Sequence, residues 1–197
     1  TGGSGLMASK IKVDQIQTAD GSGTIALQNQ LSGMTGASMP TGSVLQVVSA
    51  TKTDTQVISS SSFVDITGLS ATITPSSSSN KIYVSVNVSF SGVANAYIAF
   101  QILRGTTEIL KNTESGTGIE CAGGSVINSS GNIPYSVIKE SMSGLDSPST
   151  TSATTYKVQI SPKRTGTETA TVNRSYNLGD DNQYRAVSTI TLMEIAG

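Results

Sequence analysis

Hydrophobic and polar residues alternate along most of this chain with a period of two. In the run NKIYVSVNVSF, the residues Ile82, Val84, Val86, Val88 and Phe90 share one side of an extended chain. Such alternation predicts a β-strand with one face in a core. The next run, AYIAFQILRG, carries apolar residues at both parities and then turns at its final Arg-Gly pair. This second pattern predicts a strand that is partly buried on both faces.

Further alternating runs recur at short intervals along the chain. They predict strands at 44–50, 56–58, 63–66, 71–74, 119–128, 135–142, 155–161, 169–173 and 186–195. The turn clusters between them leave no room for crossover helices, so the sheets should be antiparallel. Only 24–31 has the pattern of a short helical segment.

The number of short strands predicts an all-β fold, an antiparallel two-sheet sandwich of the jelly-roll kind. A closed up-and-down barrel is the alternative. The jelly roll is favoured because the loops differ widely in length, and because the last strand, STITLMEIAG, is as apolar as a central strand.

The N-terminal segment differs from the rest of the chain. We assign 1–6 to a linker left by cloning, 7–40 to an extended arm and 41–197 to the jelly-roll head. The arm has few apolar residues, too sparse to close a core: Ile11, Val13, Ile16, Ile25, Leu27 and Leu31. One interpretation is a disordered tail. The other is that copies of the chain wind around each other and bury these residues between them, so that the arm serves trimerisation and docking to a particle.

Composition narrows the function classes. Charged residues make up 13% of the chain, the net charge is −1, and no run of Lys or Arg occurs, so we expect neither nucleic acid nor membrane insertion. No apolar stretch has the length of a membrane span, and no charged-then-apolar leader follows Met7. The single cysteine cannot form an internal disulfide, which fits synthesis in a reducing cytoplasm.

The sequence offers little catalytic chemistry. Histidine is absent, which removes the commonest general base and metal ligand. Cys121 follows Glu120, whose charge should raise the pKa of the thiol and leave it inert. The adjacent Asp180 and Asp181 do not reproduce a calcium-loop spacing. We therefore expect no enzyme, no cofactor and no metal ion.

Four runs resemble a known group of proteins. The opening SKIKVDQI, followed by GSGTIAL, is similar to the N-terminal units of tail-fibre and related virion proteins of tailed bacteriophages, especially marine phages. The runs MPTGSVLQVV and AVSTITLMEIA resemble the first and last strands of the trimeric C1q/TNF-like jelly-roll heads at the ends of such fibres. The resemblance covers both ends of the chain and little of its middle.

The resemblance implies a homotrimer whose heads pack about an axis, with the arm as a stalk that contacts other virion proteins. The face of Tyr97 and Leu103 is the candidate trimer interface. The alternative is that this face packs under a loop of its own chain.

The function we expect is that of a virion structural protein, a short trimeric fibre or spike that attaches weakly but multivalently to a host-surface glycan or protein. Candidate ligand residues lie in the polar loops: Ser129, Asn132, Asp146, Asp180, Asp181 and Tyr184. One alternative is a capsid decoration or head-fibre protein that stabilises or decorates the shell. A second is a free carbohydrate-binding or C1q/TNF-like module.

Overall fold

The computed structural model describes residues 39–114, 116–127, 136–162, 168–177 and 184–197. These residues belong to one unit, Thr35–Gly197, and they form eleven β-strands and no helix. The strands are β1 (Val44–Lys52), β2 (Gln56–Ile58), β3 (Val64–Ile73), β4 (Lys81–Gly92), β5 (Tyr97–Arg104), β6 (Thr107–Ile109), β7 (Gly123–Val126), β8 (Ile138–Asp146), β9 (Thr154–Pro162), β10 (Ala170–Val172) and β11 (Ser188–Ile195).

The strands form two antiparallel sheets. Sheet 1 has the order β1-β11-β4-β10-β2, and β8 also pairs with β4. Sheet 2 has the order β3-β9-β5-β6, and β7 also pairs with β5. The last strand, β11, lies between β1 and β4, so its predicted central position is confirmed.

The strand pairing is nested. When the short strands β2, β6 and β10 are set aside, β1 pairs with β11, β3 with β9, β4 with β8 and β5 with β7. Among these eight strands, the first therefore pairs with the last, the second with the last but one, and the pairing continues inward in the same order. A long two-stranded ribbon rolled into two facing sheets gives this order, which defines a jelly roll. The predicted all-β jelly-roll sandwich is confirmed.

The core lies between the inner faces of the two sheets. The alternating residues of β4 from Ile82 to Phe90 are fully buried, as the sequence predicts. The rings of Phe90 and Phe100 meet edge to face, with centroids 5.0 Å apart. β4 is the longest strand, and other strands pair with most of its length on both edges. Its buried side chains therefore contribute to the core along most of the length of sheet 1.

Several predicted strands differ from those observed. The segments 63–66 and 71–74 belong to one strand, β3, whose register shifts between Asp65 and Ser70. Gly68 adopts a φ of 80° inside this irregularity, a conformation that glycine adopts without strain. The predicted strand 119–128 is reduced to Gly123–Val126, the predicted strand 135–142 becomes Ile138–Asp146, and the hairpin strand β6 was not predicted.

Candidate interaction surfaces

The outer face of sheet 1 carries uncharged side chains where β1, β11, β4 and β8 lie side by side. In register across these strands, the first row is apolar, and the two rows beside it carry hydroxyl or amide groups. We call this surface the uncharged face, and its rows are Val47, Met193, Tyr83 and Leu145; Ser49, Thr191, Ser85 and Ser143; and Thr51, Thr189, Asn87 and Ser141.

The apolar row is open to solvent at both ends. Val47 is 56% exposed and Leu145 is 53% exposed, while Tyr83 and Met193 between them are half-buried. Neighbouring strands lie about 4.8 Å apart, so the row is an apolar band roughly 14 Å wide. The hydroxyl rows beside it can both donate and accept hydrogen bonds, as Ser141 does by donating to Asn87 Oδ1 at 2.7 Å.

The outer face of sheet 2 is chemically different. Lys157 Nζ lies 2.9 Å from Asp65 Oδ2, and Gln159 Nε2 donates to Asp65 Oδ1 at 2.7 Å. The hydrogen bond from Gln159, followed by that from Lys157, lowers the pKa of Asp65 below its ordinary value. The polar groups around Asp65 therefore pair with one another or are hydrated, as on a sheet face that contacts solvent.

The predicted trimer residues, Tyr97 and Leu103, lie on this second outer face. Tyr97 is 44% exposed and pairs with Val126 on β7. Leu103 is half-buried and pairs with Lys157 on β9. Six residues of extended chain, about 20 Å, separate the two side chains. They contribute nothing to the uncharged face, and their role in a trimer stays a prediction.

A buried carboxylate fastens one end of the sandwich. Glu194 is 1% exposed, and it accepts hydrogen bonds from Asn80 Nδ2 at 2.6 Å, Gln46 Nε2 at 2.5 Å, and the backbone N and Oγ of Ser76 at 2.6 and 2.8 Å. Burial raises the pKa of Glu194, but the hydrogen bonds from Asn80, Gln46 and Ser76 outweigh burial and hold the pKa below its ordinary value. The carboxylate is therefore ionised and fully bonded without a cation.

The first and last described segments of the head meet at the same place. Gly42 N donates to Ala196 O at 2.8 Å, and Ala196 N donates to Ser43 O at 2.9 Å. Gly197 N donates to Asn80 Oδ1 at 3.1 Å, which joins this contact to the Glu194 cluster. We call this the near end of the head, where β1 begins and β11 ends, and the opposite end the far end.

Asp146 does not lie in a ligand-binding loop, in contrast to the prediction. It is the last residue of β8 and pairs with Ile82 at the near end. Its side chain is 10% exposed and receives Arg104 Nη1 at 2.7 and 2.8 Å and the Tyr156 hydroxyl at 2.7 Å. Burial, and then the hydrogen bond to Asp146, raises the pKa of Tyr156, which keeps its hydroxyl a neutral donor. Asp146 is thus a structural partner of two side chains.

Tyr184 lies elsewhere, on the hairpin that connects β10 with β11. It is 64% exposed, and its backbone accepts from Ser175 N at 3.1 Å. The base of this hairpin is attached to Ser89 of β4, through Asn173 N at 2.8 Å. Ser89 and the Asp146 partner Ile82 are about 24 Å apart along the strand. The predicted ligand residues that the structure describes therefore do not gather into one site.

Asn173 holds the base of the hairpin, and the sequence reading did not identify this role. It is fully buried, and its Nδ2 donates to Lys52 O at 2.8 Å and Asp54 O at 2.9 Å. Its Oδ1 accepts from Ser188 Oγ at 2.6 Å. The φ of 62° at Asn173 is a conformation that Asn adopts more readily than most residues, which is the sequence signal for this position.

The prediction that the pKa of Cys121 is raised agrees with the structure, but for a different reason. Burial raises it first, and the charges of Glu108 and Glu140 add to the effect. Glu120, which was expected to raise it, bonds Lys111 Nζ at 2.8 Å. A thiol in this setting is a weak nucleophile at neutral pH.

Several predicted residues lie outside the described ranges. They are the arm residues Ile11, Val13, Ile16, Ile25, Leu27 and Leu31, and the loop residues Ser129, Asn132, Asp180 and Asp181. Within the described residues, His, Cys, Asp and Glu side chains nowhere gather in threes in an arrangement suited to a metal ion. The same ranges contain no helix with the length and hydrophobicity that a membrane crossing requires.

Comparison with known proteins gives distant similarity only. No family model matches the chain, and no curated protein matches it. Among solved structures, the chain is similar to one titled as infectious bursal disease virus Gt strain, with 16% identity over 77% of this chain and 38% of that chain, at a TM-score of 0.39. It is also similar to the Gx strain structure, with 15% identity over 77% of this chain and 37% of that chain, at the same TM-score of 0.39. The chain thus spans less than half of either structure.

Proposed function

We propose that this protein is a non-enzymatic virion structural protein, a short homotrimeric fibre or spike that attaches a phage particle to its host surface. The proposal rests on the sequence resemblance at both ends of the chain, together with a jelly-roll head that fits that resemblance. The structural observation that supports the trimer is the uncharged face, because it supplies a surface on which copies of the chain can associate.

The uncharged face is suited to contact with its own copies. The three rows contain no charged residue, so two copies that meet through these rows bring no like charges together. The exposed ends of the apolar row, Val47 and Leu145, would be removed from water. About a threefold axis each contact joins two different parts of the face, and the hydroxyl groups on both parts can donate and accept hydrogen bonds.

The arrangement of the ends supports the proposed orientation. The segment that leads into β1 is bonded to the segment that follows β11 at the near end, so residues 39–43 enter the head there. The loops of the far end, including the hairpin that carries Tyr184, are then free to face the host. Weak contacts by each head add to firm attachment when several heads act together.

The test of this proposal is the mass of the protein in solution and its effect on infection. Light scattering should give about three times the chain mass of 20.2 kDa. Soluble protein added to host cells before phage should reduce adsorption, and antibody against the head should label the particle. A monomer at micromolar concentration, or unlabelled particles, would contradict the proposal.

Capsid decoration is the second candidate. The same jelly-roll head and the same uncharged face serve a protein that sits on a shell and stabilises it. The two candidates differ in where antibody labels the particle, tail or capsid, and in whether soluble protein blocks adsorption. A free carbohydrate-binding or C1q/TNF-like module, the third candidate, predicts that particles carry no label and that removal of 7–40 leaves binding intact.

A further inference from the structure

Two arginines face each other across the base of the hairpin between β10 and β11. Arg174 and Arg185 form an isolated antiparallel bridge. The flanking bonds run from Ser175 N to Tyr184 O at 3.1 Å and from Ala186 N to Asn173 O at 3.0 Å. This pattern makes the arginines a non-hydrogen-bonded pair, the closer of the two kinds, with Cα atoms about 4.5 Å apart.

Such a pair is electrostatically unfavourable by itself, because like charges directly opposite each other destabilise a strand pair. Among the ion pairs of the described residues, none includes Arg174 or Arg185. The Nη1 atom of Arg174 is also buried without a hydrogen-bond partner. Asp54, whose backbone carbonyl bonds the neighbouring Asn173, already pairs its carboxylate with Lys52 Nζ at 2.8 Å.

Hydrogen bonds fix the backbone next to this pair. Asn173, adjacent to Arg174, is fully buried and bonded at both ends of its side-chain amide. Thr171 Oγ1 donates to the carbonyl of Arg174 at 2.9 Å. These bonds fix the backbone from which the Arg174 side chain extends, which lowers the backbone ordering cost of binding. Arg185 is exposed and gives a ligand access to the pair.

We infer that Arg174 and Arg185 form a binding site for an anionic glycan, a sugar polymer that carries carboxylate or sulfate groups. Guanidinium groups bind pairs of oxygens of carboxylate and sulfate groups through paired, charge-assisted hydrogen bonds. An oxyanion bound between the two side chains relieves the repulsion between the arginines. The inference rests on the proposed attachment function and names the chemical class of host ligand at the far half of the head.

The binding test uses the full chain and three defined probes: oligogalacturonate for carboxylate, a sulfated galactan fragment for sulfate, and dextran of equal length as the neutral control. The wild-type protein should bind at least one anionic probe and not dextran, and binding should weaken when salt rises from about 50 mM to about 200 mM. The Arg174→Gln/Arg185→Gln variant should lose about tenfold or more in affinity. The carboxylate and sulfate arms identify which anion the site prefers.

Matched control variants distinguish binding at the two arginines from a general effect of net charge. Lys81→Gln/Lys139→Gln removes the same charge from two exposed lysines and should change affinity less than about twofold. Arg174→Lys/Arg185→Lys keeps the charge but loses the planar fork, so its affinity should fall between the two. Asp180→Asn/Asp181→Asn should bind as well as the wild type or better. If the glutamine variant of Arg174 does not fold, Arg185→Gln alone decides the matter, since its side chain is exposed.

Equal binding by the arginine variants and the wild type overturns the inference, and so does equal binding to dextran, or loss of binding in the asparagine variant. The two proposals fail separately. If no anionic probe binds but soluble protein still blocks adsorption, the glycan site is wrong and the attachment function stands. If the arginines bind glycan but the protein neither labels particles nor blocks adsorption, the site stands and the attachment function is wrong.

Discussion

The outer faces of the two sheets share a backbone geometry but not a chemistry. On sheet 2, Asp65, Lys157 and Gln159 pair with one another and face water. On sheet 1, the corresponding positions carry Ser, Thr and Asn beside an apolar row that ends in exposed Val47 and Leu145. Sheet 2 also carries the exposed pair Tyr97 and Val126, so the contrast concerns the region around Asp65. If the proposed trimer is right, the two outer faces have different neighbours.

The largest effect is expected when a charge is placed on the inner face of β4 instead of its outer face. Val86 is fully buried and pairs with Ile190, so Val86→Asp should abolish folding, because an unpaired carboxylate in the core costs several kcal/mol. The next residue, Ser85, points to the uncharged face, and Ser85→Asp should fold. Circular dichroism and thermal melting check both variants. A folded Val86→Asp protein would contradict the assignment of the core.

The second test decides which sheet the copies share. Val47→Asp/Leu145→Asp should shift the protein to monomer, because each contact would bring carboxylates together in a dehydrated interface at a cost of several kcal/mol. The matched variant on sheet 2 is Tyr97→Asp/Leu103→Asp, which should keep the mass of the wild type. Light scattering over a dilution series reads both. If the sheet 2 variant becomes monomeric and the sheet 1 variant keeps the mass of the wild type, the interface lies on the outer face of sheet 2, as the sequence resemblance implied.

A third test compares a buried carboxylate with an exposed one. Glu194→Ala leaves the donors from Asn80, Gln46 and Ser76 without an acceptor, which should lower the free energy of unfolding by about 3 kcal/mol. For a domain of this size the melting temperature should then fall by roughly 10 °C. Calorimetry measures the change. A loss below about 1 kcal/mol would mean that water replaces the carboxylate without penalty.

The carboxylate of Glu194 also makes the stability of the protein depend on pH. The folded-state pKa of Glu194 lies below its ordinary value of 4.5, so its stabilising effect is present above that pH and is lost as the pH falls through the folded pKa. The melting temperature of the wild type should therefore drop in acid. Glu194→Gln should lose part of that dependence, and an unchanged acid profile in this variant would contradict the assignment.

The smallest effect belongs to the charged sheet. The pKa of Asp65 is also lowered, by hydrogen bonds from Gln159 and Lys157, but its side chain is 51% exposed. Asp65→Asn should cost less than about 1 kcal/mol, and the difference should shrink in high salt. Denaturant unfolding at two salt concentrations checks this. A cost equal to that of Glu194→Ala would remove the distinction between the two carboxylates.

The sequence predicted the fold class because period-two patterning is local. The alternation in β4 and β11 is strong enough to identify both strands and their inner faces without knowledge of their partners. The irregular middle of β3 could not be predicted, because Gly68 and its neighbours take their conformation from the shifted register with β9. The boundaries of β8 likewise depend on how much of β4 it can pair with.

The surfaces were harder to predict because they depend on register between distant segments. Val47 and Leu145 belong to one row only through Met193 and Tyr83, which lie on two other strands. Asp146 was predicted to lie in a polar loop, and its partner Arg104, which lies 42 positions earlier in the chain, could not be identified from the local pattern. Arg174 and Arg185 are separated by a hairpin whose closure the sequence does not specify.

The nested pairing has a consequence for timing during synthesis. The uncharged face is assembled from β1, near the start of the head, and from β4, β8 and β11, with β11 inserted between β1 and β4. A nascent chain that lacks β11 leaves a gap in the middle of that face, so the face is complete only after β11 has been placed. Long-range closure of this kind is slow, and under the proposed trimer the contact between copies would form only after that step.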